Sequence, residues 1–279
     1  MQIPRAWAKV SADGELPNGK EAPISVWGWG EDDSSARRNG ADRLQRVLER
    51  IRRGEPFPDK YGYGSRPLRE EILETFESET SSKPCAIVTR NGYGVRVLNA
   101  ASLLFLDIDL QPPSLIERIK RLFGGISVEE KAIRTLRDAL RNYGRATFRV
   151  YRTASGFRAM AIDREFEPKA RDVQDLMRAT STDPAYARLC IVQGSFRARL
   201  TPKPWRCKIL PPPGQHPRLD GELQRRFASW LSEYDRASPH YATCRYLETI
   251  GNGSPKGDRK RLVELHDRET RCNEALPLA

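Results

Sequence analysis

A chain of 279 residues is long enough to bury a sizeable core, as one large domain or two small ones. Hydrophobic residues at 38% and charged residues at 30% suit a soluble globular protein, and the aromatics argue against wholesale disorder. Lys and Arg number 48 against 37 Asp and Glu, a formal charge of +11 that favours polyanionic partners such as nucleic acid or nucleotides.

Residues 4–10 and 23–30 read as short strands on either side of a turn-rich stretch. Leu44, Val47, Leu48 and Ile51 recur at helical spacing among many arginines, which predicts a basic amphipathic helix over 34–53. Residues 54–67, GEPFPDKYGYGSRP, read as a loop, with a shorter helix around 67–77. In PCAIVTRNGYGVRVLNA (84–100), Asn91-Gly92 between two β-prone runs predicts a hairpin with a type I′ turn. The strand ASLLFLDIDL (101–110) follows, stopped by Pro112-Pro113. Ser127 and Glu130 form a capping box for a helix with Val128, Ala132, Leu136, Ala139 and Leu140 on one face, ending near Gly144.

Strands at 146–153 and 156–163 are joined by a tight Ala-Ser-Gly turn, and helices are predicted at 170–179 and 184–190. Residues 194–210 read as a basic strand-like segment closed by Pro211–Pro213. Leu223, Phe227, Trp230, Leu231 and Tyr234 mark a further helix, and the tail reads as a Gly-rich loop and a final helix. The reading is therefore α+β: a ferredoxin- or RRM-like split β-α-β core with N-terminal strands and C-terminal helices. It treats 1–279 as a single domain, with the core at 85–210 and 211–279 as a mainly helical extension.

The five cysteines are odd in number and form no C-x-x-C pair, so neither a zinc knuckle nor a disulfide framework is indicated. No apolar stretch approaches the ~18 residues of a membrane span, and the first residues lack a signal-peptide core. A cytoplasmic protein with reduced cysteines and no membrane partner is expected.

Alternation puts Asp107 and Asp109 on one side of their strand, with Ile108 on the other. Two carboxylates so close repel each other unless water solvates both or a cation joins them, and Mg²⁺ accepts one or two carboxylates plus substrate phosphates. Both also suit an exposed strand end. In YRTASGFRAMA (151–161), Ser155-Gly156 would bring backbone close to a ligand, with Arg152 and Arg158 holding phosphates; the plain alternative is a hairpin turn with solvated arginines. Arg197 and Arg199 share a strand face and, with Lys203 and Arg206, make a basic ridge suited to a triphosphate or nucleic-acid backbone; alternating arginines on an exposed strand are the bland reading. Phe196 and Trp205 either stack on bases or fill core. GNGSPKG (251–257) lacks P-loop spacing, no G-x-S-x-G exists, and His266-Asp267 is expected as a surface pair.

An apolar strand ending in D-x-D, then a helix, then a strand pair with a small-Gly turn, resembles the core of the archaeo-eukaryotic primase (Prim-Pol) superfamily. LLFLDID matches its hhhDhD/E metal strand, SGFR stands at its Ser-x-His motif, and QGSFRARLTPK is loosely similar to its later basic motif. The resemblance covers roughly 85–210 and implies a nucleotidyltransferase using Mg²⁺ or Mn²⁺ on nucleoside triphosphate and nucleic acid. Asp107 and Asp109 would hold metal, and Ser155, Gly156, Arg158, Arg197, Arg199 and Lys203 would bind the nucleotide. The chain departs from the family in two places: Arg158 stands where its histidine would be, and the third acid has no clear counterpart, Asp163 and Asp183 being the nearest. The whole chain, especially FRARLTPKPWR, also looks like bacterial proteins of uncharacterised function, which implies no activity. The alternative on the same scaffold is a non-catalytic basic nucleic-acid-binding protein. A haloacid dehalogenase-type phosphohydrolase ranks last, because Gln111 stands where its motif wants Thr or Val.

Overall fold

The structure is a computed structural model and describes residues 1–15, 20–55, 66–110 and 126–279. The chain divides into two compact units, Gln2–Arg69 and a larger one of Glu70–Ala279 with Met1. The boundary falls just after the Gly-, Pro- and Tyr-rich stretch at 54–67, so the single domain expected over 1–279 is two compact units. Most of that stretch, including the YGYG motif, lies outside the described residues, as does the Pro112-Pro113 stop.

In the smaller unit β1 (Ala6–Glu15) pairs antiparallel with β2 (Glu21–Gly30), and α1 (Asp33–Arg52) packs on the hairpin. Asp32 and Ser35 cap α1 reciprocally, and Ala36, Gly40 and Leu44 form its buried stripe at four-residue spacing. A Cβ on Gly28 would stand 2.1 Å from the Ala36 carbonyl oxygen, so glycine lets the helix and strand backbones meet.

The larger unit holds two four-stranded antiparallel sheets. One orders β3 (Glu71–Glu77), β4 (Pro84–Arg90), β5 (Arg96–Ala100) and β9 (Phe196–Arg199) as β3-β4-β5-β9. The other contains β6 (Phe105–Asp109), β7 (Phe148–Thr153), β8 (Gly156–Ala161) and β10 (Cys244–Ile250), in the order β10-β7-β8-β6. The described helices of this unit are α2 (Val128–Tyr143), α3 (Arg171–Ala179), α4 (Pro184–Gln193), α5 (Gly221–Ala237) and α6 (Gly257–Thr270). The class is α+β, as the sequence predicts. β8 lies between β6 and β7, the arrangement of a split β-α-β unit, but β10 adds beside β7. The last strand of a ferredoxin-like sheet lies beside the first, so the order departs from that fold.

One contiguous core joins the two sheets and the helices: Val88, Leu98 and Phe196 from one sheet, Phe105, Val150 and Met160 from the other, and Leu136, Leu140, Val173 and Leu176 from α2 and α3. A smaller cluster centres on α5, whose Phe227, Trp230 and Tyr234 stack in succession over Val95, Val97 and Cys207.

Three local expectations are corrected. Residues 71–77 form strand β3 rather than a helix, because register pairing with β4 overrides the helix propensity of Glu and Leu. The 84–100 hairpin is real, but its loop is not type I′. Asn91 and Val95 flank three residues, the positive φ falls on Gly94 (79°), and Asn91 Oδ1 accepts from the Tyr93 and Val95 amides. Cys244–Ile250, read as loop, is strand β10 with alternating burial, so the C-terminal third supplies part of the central sheet.

Candidate functional site

The strand end that carries Asp107 and Asp109 lies in the larger unit. Asp107 and Asp109 sit at the C-terminal end of β6, with Ile108 buried between them. β6 is an edge strand, and α4 covers its open side. The Asp183 amide donates to the Asp107 carbonyl (3.0 Å), and the Tyr186 hydroxyl donates to the Phe105 carbonyl (3.1 Å). The Tyr186 oxygen also accepts from the Arg197 amide at 3.3 Å, which ties β6 to β9 across the two sheets.

Against these carboxylates stands a group of cations. Arg158 on β8 is the register partner of Asp107, and its fully buried guanidinium brings Nε to 3.4 Å from Asp107 Oδ1. Its Nη1 donates to the Arg199 carbonyl at 3.0 Å. Burial lowers the Arg158 pKa, but Asp107, with smaller contributions from Cys244 and Tyr186, outweighs it, so the net shift is upward and the guanidinium stays charged. Arg199 is pushed down to about 10 by burial and then by Arg158, with Asp107 and Asp109 opposing. Lys203 is lowered by burial and then by Arg199 and Arg206. Arg158, Arg199 and Lys203 thus lie within electrostatic reach of the two carboxylates, and Arg206 lies near Arg199 and Lys203. Arg199 Nε and Arg206 Nη1 are buried without a hydrogen-bond partner among the described residues.

The segment carrying these cations is held from α5. The Tyr234 hydroxyl donates to the Pro202 carbonyl (2.6 Å) and the Trp230 indole to the Leu210 carbonyl (2.7 Å), fixing the 3₁₀ turn Pro204–Cys207 between them. Lys203 Nζ lies 5.5 Å from the centre of the Trp205 ring, and Tyr93 meets that ring edge-on at 5.4 Å. Trp205 and Tyr93 are exposed, whereas Phe196 is wholly buried. Of the two candidate stacking aromatics, only Trp205 is accessible.

The predicted site residues divide accordingly. Asp107, Asp109, Ser155, Arg199 and Lys203 gather at one end of the β6 sheet, Ser155 Oγ donating to Asp109 Oδ1 at 3.3 Å. Arg158 is spent on Asp107 and the Arg199 backbone, so it positions the site instead of facing a phosphate. Gly156 serves strand approach: a Cβ there would lie 1.8 Å from the Ile108 carbonyl oxygen. Arg152 is engaged with Glu129 (2.7 Å) and the Gly156 carbonyl (2.7 Å). Arg197 leaves the expected ridge; it is buried, with Nη2 2.7 Å from Glu70 Oε1 and Nη1 on Asn99. Of the acids considered as a third carboxylate, Asp183 accepts from the Ala185 amide as the α4 cap, and Asp163 accepts from the Thr147 amide beyond the far end of β8.

Sequence reasoning missed His266. Expected at the surface, it is fully buried behind Arg158, its Nε2 3.4 Å from Arg158 Nη1 and its Nδ1 3.0 Å from Asp267 Oδ1. Asp267 accepts from Tyr151 (2.7 Å) and pairs with Arg149 (2.8 Å). Leu262, His266 and Thr270 repeat every four residues along the buried face of α6, which is the signal that marked His266 as interior.

Two carboxylates on one strand end suit a single divalent ion shared with phosphate oxygens. They do not suit an all-protein cage: among the described residues no group of three His, Cys, Asp or Glu side chains is arranged to hold a metal ion. The chain matches no protein-family model, no curated protein and no solved structure.

Proposed function

We propose that this strand-end site binds a nucleoside triphosphate together with one divalent cation, as a degenerate relative of the Prim-Pol nucleotidyltransferases that holds nucleotide without extending a primer. The observation that carries the reading is the pair of buried, unpartnered guanidinium nitrogens, Arg199 Nε and Arg206 Nη1, on neighbouring arginines of which Arg199 lies within electrostatic reach of Asp107 and Asp109. Buried donors without acceptors are costly unless a ligand supplies the acceptors, and phosphate oxygens are the matching chemistry. Asp107 and Asp109 would hold Mg²⁺ or Mn²⁺, which would neutralise charge on the bound phosphates. Arg199, Arg206 and Lys203 would take the remaining phosphate charge, and exposed Trp205 offers a face on which a base can stack. Ser155 orients Asp109. Two features argue against transfer chemistry: Arg158 occupies the inner face of Asp107, and neither Asp163 nor Asp183 offers a free third carboxylate.

Calorimetric titration of Mn²⁺ with a nucleoside triphosphate tests this. Wild type is expected to bind, Asp107→Asn/Asp109→Asn to lose the metal-dependent part, and Trp205→Ala to weaken binding about tenfold, within the range for loss of one stacked base. Binding that is indifferent to both variants would refute the site. Primer extension by wild type would instead make the protein an active nucleotidyltransferase. Salt-sensitive nucleic-acid binding that needs neither metal nor the aspartates would favour the non-catalytic alternative.

A further inference from the structure

A second basic site lies wholly within the Gln2–Arg69 unit. A cavity of about 510 Å³ is lined by Trp29 and by Arg43, Arg46, Arg50, Arg53 and Arg66, with Glu49 and Glu55 also in its wall. Four of these arginines recur at spacings of three and four along one side of α1 and its cap, so they form a row about 15 Å long. Arg50 and Arg53 are balanced by Glu55, at 3.2 and 3.8 Å. Arg46 and Arg66 are exposed, and among the described residues no carboxylate pairs with either. Arg43 lies over the Trp29 ring, 4.4 Å from its centre, and donates to the Trp27 carbonyl. Burial, then the like charges of Arg66 and Arg46, push Arg43 down to about 10. Folding this unit therefore gathers mutually repelling guanidiniums around one aromatic ring.

From this arrangement we propose that the N-terminal unit binds single-stranded nucleic acid, independently of the Asp107–Asp109 site in the larger unit. Successive phosphates neutralise the arginine row, and one unpaired base enters the cavity beside the Trp29–Arg43 stack. The concave shape selects a single strand, because a base held in a duplex is not free to enter a cavity. Guanidinium and indole planes stack on any base, so affinity should depend strongly on salt and only weakly on sequence.

The test is fluorescence anisotropy of a labelled 12-mer oligothymidylate, and separately an oligouridylate, titrated with the full chain. Wild type should bind with a steep salt dependence. Arg46→Ala/Arg66→Ala should weaken binding at least tenfold and reduce the log–log salt slope by about 1.4, two single-strand phosphate contacts. Arg37→Ala/Arg38→Ala, equal in charge change but outside the cavity, should alter affinity less than twofold. Circular dichroism melts would show that both variants are folded, as the exposure of all four arginines leads one to expect. Wild-type affinity in Arg46→Ala/Arg66→Ala would overturn the proposal. So would an equal loss in Arg37→Ala/Arg38→Ala, or tighter binding of a blunt duplex of the same length.

Discussion

Asp107 and Arg158 stand directly opposite each other in the β6–β8 register, one carboxylate a third exposed and one guanidinium sealed from solvent, 3.4 Å apart. The like charges that looked anomalous in LLFLDID are thus unequal. Asp107 is held from inside by a buried cation, and Asp109 at the exposed end is free to act outward.

Removing Arg158 should cost more than its packing. Arg158→Met leaves Asp107 without its counter-charge and the Arg199 carbonyl without its donor. A loss of about 2–4 kcal/mol in urea unfolding at pH 7 is expected, near the low end for a broken buried pair because Asp107 keeps part of its hydration. Asp107→Asn/Arg158→Met should be less destabilised than the sum of the single variants by about 1 kcal/mol or more. Additive losses would show that the pair does not couple.

Arg197 should be structural. It bridges Glu70 and Asn99, and Thr89 donates to the other Glu70 oxygen at 2.5 Å, making a buried network that ties β4, β5 and β9 to the residue just before β3. Arg197→Ala is predicted to lose about 3–5 kcal/mol of stability, because it strands a buried carboxylate. At temperatures where the variant remains folded, its affinity for a metal–nucleotide should be unchanged, measured by the same calorimetry. A selective loss of affinity would return Arg197 to the ligand site.

The contrast between Arg197 and Arg199 shows what the sequence can and cannot tell. Alternation correctly puts both on one strand face, and the FRAR pattern reads as a ridge. Which arginine is neutralised depends on Glu70, 127 positions away, and no local pattern reports that. The same holds for β3 and β10, whose strand character comes from partners. Where the signal is local, as in the Ser127–Glu130 capping box with its left-handed Gly144 cap, sequence and structure agree.

Gly156 tests the reading of the small-Gly turn. A methyl group at this position would meet the Ile108 carbonyl oxygen, so Gly156→Ala must separate β6 from β8 or distort both. A loss of about 3 kcal/mol or more is expected. Gly194→Ala, where φ is 60° and nothing lies within 4 Å, should cost only about 1–2 kcal/mol from backbone conformation. Equal losses in thermal unfolding would mean that close approach of the strands is not what requires glycine at 156.

The buried His266 predicts a specific acid limb. Burial lowers its pKa from the ordinary 6.5, with Asp267 opposing and Arg158 reinforcing the shift. The imidazole is therefore neutral when folded, donating from Nδ1 to Asp267 and presenting Nε2 to Arg158. Around it, Arg149 on β7 is raised, Tyr151 is raised by burial, and Cys244 on β10 is pushed up to about 11. Asp267, despite its burial, is held below its usual range by His266, Tyr151 and Arg149. None of these partners changes charge between pH 5 and 7, so His266 alone titrates in this network. Below pH 6.5 the unfolded chain binds a proton that the folded one refuses, so stability falls as pH drops from 6.5 towards the folded pKa. It is fully present above 6.5, and protonation of Asp267 adds a second loss below 3.8. Urea unfolding at pH 5, 6 and 7 should show this decline in wild type, and His266→Gln, which retains an acceptor for Arg158 but cannot titrate, should flatten it. An identical slope in both proteins would assign the acid limb to groups outside this network.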